Sequence, residues 1–206
     1  VGGRSFCDFC GRQLNWYDNV PVISWLVLGG KSRCCGKKLP KQYPIVEMGM
    51  GILFCITYKT ELEIGVSLMM VTLLIFAVVF DLKHMILPDF STYILIILAA
   101  IFWHNWAAGI GSFLFLLLLH VGTKGKGMGF GDVKLALFMG LFLGWPKIIL
   151  AYYIAFVVGS VIGLLLILLK KKKKNSMIPF GPFLILGTMI AYWWGDSILY
   201  YIYGWF

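Results

Sequence analysis

Charge is scarce in this chain and acid scarcer still: charged residues make up 13% of it, with nine Asp and Glu against 18 Lys and Arg. So little charge, beside 60% hydrophobic residues, 17% aromatics and a mean hydropathy of +0.87, excludes an ordinary soluble globular domain. At about 20 residues per crossing, the 206 residues leave room for roughly seven membrane crossings and one modest exposed region. A large separate soluble domain is excluded. No Asp-rich motif is present, which removes the usual basis for a Mg²⁺-dependent enzyme acting on lipid polyphosphates. Nor does a series of charges continue through the apolar core toward Asp196. A transporter relaying protons or cations through Asp81, Asp132 and Glu47 is the alternative that this gap weakens.

What is there is a succession of apolar runs. Seven segments stand out: Ile45 to Tyr58, Gly65 to Phe80, Tyr93 to Trp106, Gly109 to Val121, Val133 to Trp145, Ile148 to Leu169 and Phe183 to Tyr203. They predict an all-α polytopic membrane helix bundle of about seven transmembrane helices, the shorter ones borrowing flanking residues or tilting to span. Threading the chain with its N-terminal region inside places sixteen of the 18 Lys and Arg on the inner side and only Lys59 and Lys147 outside. Positive residues collect on the cytoplasmic side, so the split supports both the count and the direction. The net charge of +9 then follows from topology and contact with anionic lipid, and gives no reason to invoke nucleic acid. The Lys170 to Lys174 run reads as a stop-transfer anchor, with a partner-docking patch as the alternative. Residues 1–44 are expected to form a small cytoplasmic lobe and 45–206 the membrane domain.

On this topology Asp81 and Asp132 fall at the cytoplasmic rim, and Glu61 and Glu63 outside. Ionisable side chains at the edge of a bilayer core are costly to keep, so a pair of them on one side points to a functional site. Asp89 and Glu47 also lie inside, and local sequence must choose among the four. Asp132 closes Gly127-Met128-Gly129-Phe130-Gly131-Asp132, whose alternating glycines permit positive φ and close approach of another backbone, such as an extended substrate strand. The competing reading makes Asp132 the N-cap of the next helix. Asp81 ends an unbroken apolar run from Val66 and is held at the interface. Asp89 follows Pro88 before Phe90-Ser91-Thr92 and reads as a helix start, while Glu47 can cap, snorkel or pair with a lysine.

The N-terminal region carries a second constellation: Cys7-Asp8-Phe9-Cys10-Gly11 and Ser32-Arg33-Cys34-Cys35-Gly36. These look like two knuckles of a tetrahedral zinc site built from Cys7, Cys10, Cys34 and Cys35, although Ser32 stands where a matching Cys would be expected. A structural metal, a three-thiolate or metal-free fold, and disulfides all stay open, disulfides least favoured in a reducing cytoplasm. Cys55 reads as a small packing residue within the first segment. Between the knuckles, Trp16-Tyr17-Asp18-Asn19-Val20-Pro21 and Ile23-Ser24-Trp25-Leu26 suit a lobe on the membrane surface, as packing aromatics or as a methyl-donor or substrate surface.

Taken in order, Arg4-Ser5-x-Cys7-x-x-Cys10, Trp16-Tyr17-Asp18-Asn19-x-Pro21-x-x-Ser24-Trp25-Leu26, Tyr43-Pro44-Ile45-Val46-Glu47, Asp81-Leu82-Lys83-His84-Met85-Ile86-Leu87-Pro88-Asp89, Gly129-Phe130-Gly131-Asp132-Val133-Lys134-Leu135 and Pro179-Phe180-Gly181-Pro182-Phe183-Leu184 resemble the bacterial type IV prepilin peptidases. The resemblance, to the leader peptidase and N-methyltransferase family, covers nearly the whole chain. It implies an aspartic peptidase of the Gly-x-Gly-Asp class with Asp81 and Asp132 catalytic, and Gly129, Gly131, Lys134, Pro88 and Asp89 supporting. It implies substrates that are prepilins or pilin-like competence and secretion proteins, cut on the cytoplasmic side after the glycine ending a short basic leader. No cofactor is expected for that cleavage. S-adenosylmethionine is implied for N-methylation of the new amino terminus, an activity tied in the family to the cysteine region, with structural zinc there. The expected location is the bacterial cytoplasmic membrane, multi-pass, with lipid and prepilin as partners. Family members usually carry a further hydrophobic helix before the Arg-Ser-x-Cys stretch, which gives the expectation of a missing N-terminal segment and of eight crossings where seven are found.

Overall fold

The computed structural model describes residues 5–57, 64–125, 127–169 and 178–204. Arg4, Lys59, Glu61, Glu63, Lys126 and the Lys170 to Lys174 run lie outside the described residues. Those described form eight α-helices and no extended strand: α1 Ile23–Val27, α2 Gln42–Thr57, α3 Ile64–His84, α4 Asp89–Phe102, α5 Trp106–Gly122, α6 Phe130–Leu143, α7 Lys147–Leu168 and α8 Gly181–Tyr203. Helices α2 to α8 coincide with the seven apolar segments. Two stretches, Gly65–His84 and Lys147–Leu168, are long and apolar enough to cross a membrane, and α2, α4 and α5 are shorter apolar helices. The chain is thus an all-helical protein of membrane type, divided into two compact units at Thr72 and Leu73.

In the first unit the cysteine segments make two matching turns. Isolated antiparallel bridges join Phe6 to Gln13 and Lys31 to Lys38. The Cys7 and Ser32 N–H groups donate to the carbonyls of Arg12 and Lys37, and the Gly11 and Gly36 N–H groups donate back to the carbonyls of Cys7 and Ser32. Both glycines sit at φ +67°, a left-handed conformation in which a side chain is strained. Between the turns, a 3₁₀ turn at Trp16–Asn19 precedes α1. Glu47 on α2 accepts the Val22 N–H at 2.7 Å, so it holds the chain just before α1 rather than capping its own helix or pairing with a lysine.

The second unit is built around α6. Ten of its 14 residues are buried, among them Val133, Leu135, Phe138 and Met139, and apolar side chains cover every face, as expected of a helix surrounded by others. It packs against α4, α5, α7 and α8, and α7 packs along α8. In lipid the association of helices rests on close packing rather than escape from water, and small residues allow it. A Cβ on Gly140 would stand 2.7 Å from Gly109 Cα, and one on Gly109 would stand 2.8 Å from Leu141 Cγ, so α5 and α6 meet backbone to backbone. Buried hydroxyls are satisfied: Ser112 donates to the Ala136 carbonyl at 2.7 Å, and Tyr152 donates to the Ser112 carbonyl at 3.2 Å. Outward, Ile97, Ile101, Leu118, Tyr153 and Leu164 are exposed, an apolar surface suited to lipid.

Helix ends differ from the apolar runs where turn chemistry decides. α3 continues past Phe80 to His84 and stops at Met85, which takes φ +57°. α4 begins at Asp89 because Pro88, extended and without an N–H, precedes it; the Pro88 carbonyl accepts the Ser91 and Thr92 hydroxyls at 2.9 and 3.1 Å. α6 begins three residues before its apolar run, at Phe130.

Candidate active site

Asp81 lies in the last turn of α3 and Asp132 in the first turn of α6, 4% and 7% exposed. Both line one cavity of about 670 Å³. Each carboxyl is held by a glycine amide: the Gly129 N–H donates to Oδ2 of Asp132 at 3.1 Å, and the Gly181 N–H donates to Oδ2 of Asp81 at 3.1 Å. Met85, Ile86 and Leu87 from the α3–α4 connection and Ile178, Pro179 and Phe180 before α8 add apolar groups to a lining that also holds Asp89, Lys134 and the glycines of the 127–131 stretch. The cavity therefore offers two carboxyls, the glycine-lined start of α6 and a surround that mixes polar and apolar groups. That set is suited to acid-base work.

Two expectations about the glycine stretch are corrected. Asp132 is not the N-cap of α6; Gly129 is, and Asp132, three residues on, accepts its N–H. Nor do these glycines supply positive φ: Gly129 sits at φ −73°, and Gly131 lies within the helix. The absence of a side chain at Gly131 admits Leu87, whose Cβ would lie 3.0 Å from a Cβ there. The room at that point is taken by the protein's own chain. Asp89 is the first residue of α4 and is not its N-cap; its carboxylate pairs with Lys134 at 2.7 Å. The Lys134 ammonium also stands over the Tyr93 and Phe130 rings, 5.2 and 5.4 Å from their centroids. Lys134 and Asp89 line the cavity, and Pro88 sets the start of α4 beside it. Gly181 and His120 were not singled out from sequence as site residues. The imidazole of His120 meets the Met128 carbonyl at 2.8 Å and edges toward Phe130 at 5.8 Å, steadying the glycine stretch. The signal for Gly181 was present in the Pro-Phe-Gly-Pro motif, but only the fold brings it to Asp81.

The second expected site lies in the first unit. Sulfur atoms of Cys7, Cys10, Cys34 and Cys35 all lie within 4.8 Å of one another, with Cys7 and Cys35 3.9 Å and Cys10 and Cys34 3.1 Å apart. A tetrahedral zinc tetrathiolate with Zn–S near 2.3 Å needs S···S spacings of about 3.8 Å, and four free cysteines converging at this range fit such an ion. Ser32 occupies in the second turn the place of Cys7 in the first. Cys34, at the position that Phe9 holds in the first turn, stands 3.1 Å from the Ser32 hydroxyl. The Cys7 thiol is pulled down to about 6, chiefly by the Ser32 hydroxyl and then by the Phe9 and Cys10 amides.

Comparison with known proteins bears on both regions. A family model for the bacterial peptidase A24 N-terminal domain matches residues 1–60, and the model of the type IV leader peptidase family matches residues 68–164. A protein of Bacillus subtilis (strain 168) named prepilin leader peptidase/N-methyltransferase is 32% identical over 211 residues, covering 97% of this chain and 85% of that protein. Proteins of the same name from Stutzerimonas stutzeri and Aeromonas salmonicida are 31% and 34% identical, over 95% of this chain and 73% and 72% of theirs. No solved structure matches the chain.

Proposed function

The chain belongs to the bacterial type IV leader peptidase family, and from that premise we propose that it is a prepilin leader peptidase with Asp81 and Asp132 as its catalytic pair. It cuts prepilins or pilin-like proteins after the glycine ending a short basic leader. The observation that carries the reading is the convergence of two buried carboxyls, from helix ends 51 positions apart in sequence, on one cavity. The transporter reading is left without support by the family.

Two carboxyls sharing a site do not both ionise readily, so the pair holds one proton between them and titrates as a unit. The ionised member takes a proton from water, the protonated member donates to the carbonyl oxygen of the scissile bond, and the water oxygen adds to the carbonyl carbon. Collapse of the tetrahedral intermediate returns a proton to the leaving amine and restores the pair. Lys134, Asp89, Gly129, Gly131 and Pro88 support the pair by fixing the starts of α4 and α6 around it.

Residues 45–206 form the peptidase domain in the bacterial cytoplasmic membrane, crossing seven times with the cavity facing the cytoplasm, and residues 1–44 form a cytoplasmic lobe. The distribution of Lys and Arg supports that orientation. The lobe serves N-methylation of the new amino terminus with S-adenosylmethionine, which supplies an electrophilic methyl group to the amine. Trp16, 80% exposed, presents a ring suited to a sulfonium cation, whereas the face of Tyr17 is covered by Arg33 at 5.0 Å. Cys7, Cys10, Cys34 and Cys35 would hold a zinc ion, which would tie the two cysteine turns of the lobe together.

The test is cleavage of a pilin-type precursor by protein purified in detergent, read by product mass for wild type, Asp81→Asn and Asp132→Asn. Both variants are expected to be inactive. Cleavage at the wild-type rate by either one sinks the assignment of the pair.

A further inference from the structure

The carboxyl of Asp81 is fixed by a residue 100 positions away in sequence. Gly181 opens α8, and its amide is the one hydrogen-bond donor to that carboxyl among the described residues, at 3.1 Å in a buried setting. The approach is as close as a glycine allows. A Cβ at position 181 would lie 2.6 Å from Asp81 Oδ2 and 3.1 Å from Leu87 Cδ2, so any side chain there displaces the carboxyl, Leu87 or the start of α8. Positive φ is not what demands glycine at this position; contact is. Pro182 follows at once, and its fixed φ suits the first turn of a helix.

The same device appears at the other carboxyl, where the Gly129 amide engages one oxygen of Asp132. Each acid thus has one oxygen tied to a glycine amide and the second oxygen without a hydrogen bond among the described residues. Leu87, 5% exposed, meets positions 131 and 181 together, so it wedges between the starts of α6 and α8.

Resting on the peptidase reading above, we propose that Gly181 is a positioning residue for proteolysis: its amide holds one oxygen of Asp81 so that the other faces the cavity, and its missing side chain is what permits the contact. Phe180 and Gly181, at the start of α8, thereby form a third segment of the peptidase centre.

The experiment compares wild type, Gly181→Ala and Asp81→Asn on a pilin-type precursor, measuring kcat, KM and the thermal midpoint in detergent. Displacing a reacting group by about 1 Å costs on the order of 100-fold, so Gly181→Ala is expected to lower kcat by about that factor with KM held, well beyond what its fall in thermal midpoint accounts for. Unchanged kcat in Gly181→Ala beside an inactive Asp81→Asn overturns the positioning role and leaves the peptidase reading standing. An active Asp81→Asn overturns both. A second measurement avoids any substitution at 181: in ¹⁵N-glycine-labelled protein, Asp81→Asn is expected to shift the Gly181 amide proton resonance, and Asp132→Asn that of Gly129. A Gly181 resonance indifferent to Asp81→Asn overturns the proposal, including where Gly181→Ala loses activity only in step with lost thermal stability.

Discussion

The cysteine lobe and the aspartate cavity both gather reactive side chains from separated stretches of chain, and both depend on glycine, but for opposite physical reasons. In the lobe, Gly11 and Gly36 take φ +67° with nothing within 4 Å of a would-be Cβ, so they are there for backbone conformation. At the cavity, Gly131 and Gly181 have ordinary backbone angles and are there because another group occupies the space a Cβ would need. The lobe is thus assembled from local turns, whereas the cavity is assembled by helix ends meeting. Damage at the cavity should therefore fall on chemistry, and damage in the lobe on local stability.

The sharpest break of this comparison comes from the acids. Asp132→Asn keeps the shape of the side chain and its contact with the Gly129 amide but removes acid-base function, a loss of roughly 10²- to 10⁴-fold in leader cleavage. Thermal unfolding in detergent should show the variant as stable as wild type. An inactive variant that also unfolds early would instead make Asp132 a structural acid.

The next effect separates two glycines two positions apart. Gly131→Ala pushes a methyl to 3.0 Å from the Leu87 side chain and is expected to cost about 1–3 kcal/mol through overpacking, with a matching fall in cleavage. Gly129→Ala meets nothing nearer than 3.6 Å, at φ −73°, and retains the amide that holds Asp132. It should cleave almost as wild type does. Equal damage from the two changes would mean that the substrate, rather than Leu87, needs the space.

In the lobe, Gly36→Ala places a side chain at a left-handed residue, a strain of about 1–2 kcal/mol. Limited proteolysis should find the lobe opened while leader cleavage is retained. Excess chelator should act in the same direction, loosening the lobe and leaving cleavage intact. Cleavage lost on chelation would join the two regions functionally and end the contrast.

The contrast also accounts for what was legible in the sequence. The lobe's knuckles could be read as such because a Cys-x-x-Cys-Gly turn is encoded within five consecutive residues, and even Ser32 announced its departure from the pattern. The seven apolar segments gave the helices because each carries its own composition. Helix ends shifted where Pro88 or Gly129 imposed a start that hydropathy does not record. The pairing of Asp81 with Gly181 was out of reach, because it arises only when α8 returns to the end of α3 across 100 positions. Asp89 misled for a related reason: beside Pro88 it had the local signature of a cap, while its partner Lys134 lies 45 positions on.

That pair carries the smallest predicted effect. Lys134 and Asp89 meet at 2.7 Å, but the carboxylate is 61% exposed, so solvent screens most of the attraction. A double-mutant cycle with Asp89→Asn and Lys134→Met should return a coupling of about 0.2–1 kcal/mol in stability. Lys134 has a second hold, over the rings of Tyr93 and Phe130, so Asp89→Asn alone should leave it in place and cleavage little changed. Lys134→Met should be felt more, because Phe130 is the first residue of the helix that carries Asp132. If Asp89→Asn instead reduces cleavage as strongly as loss of Asp132, the exposed acid acts on substrate, and the cavity holds three working carboxyls rather than two.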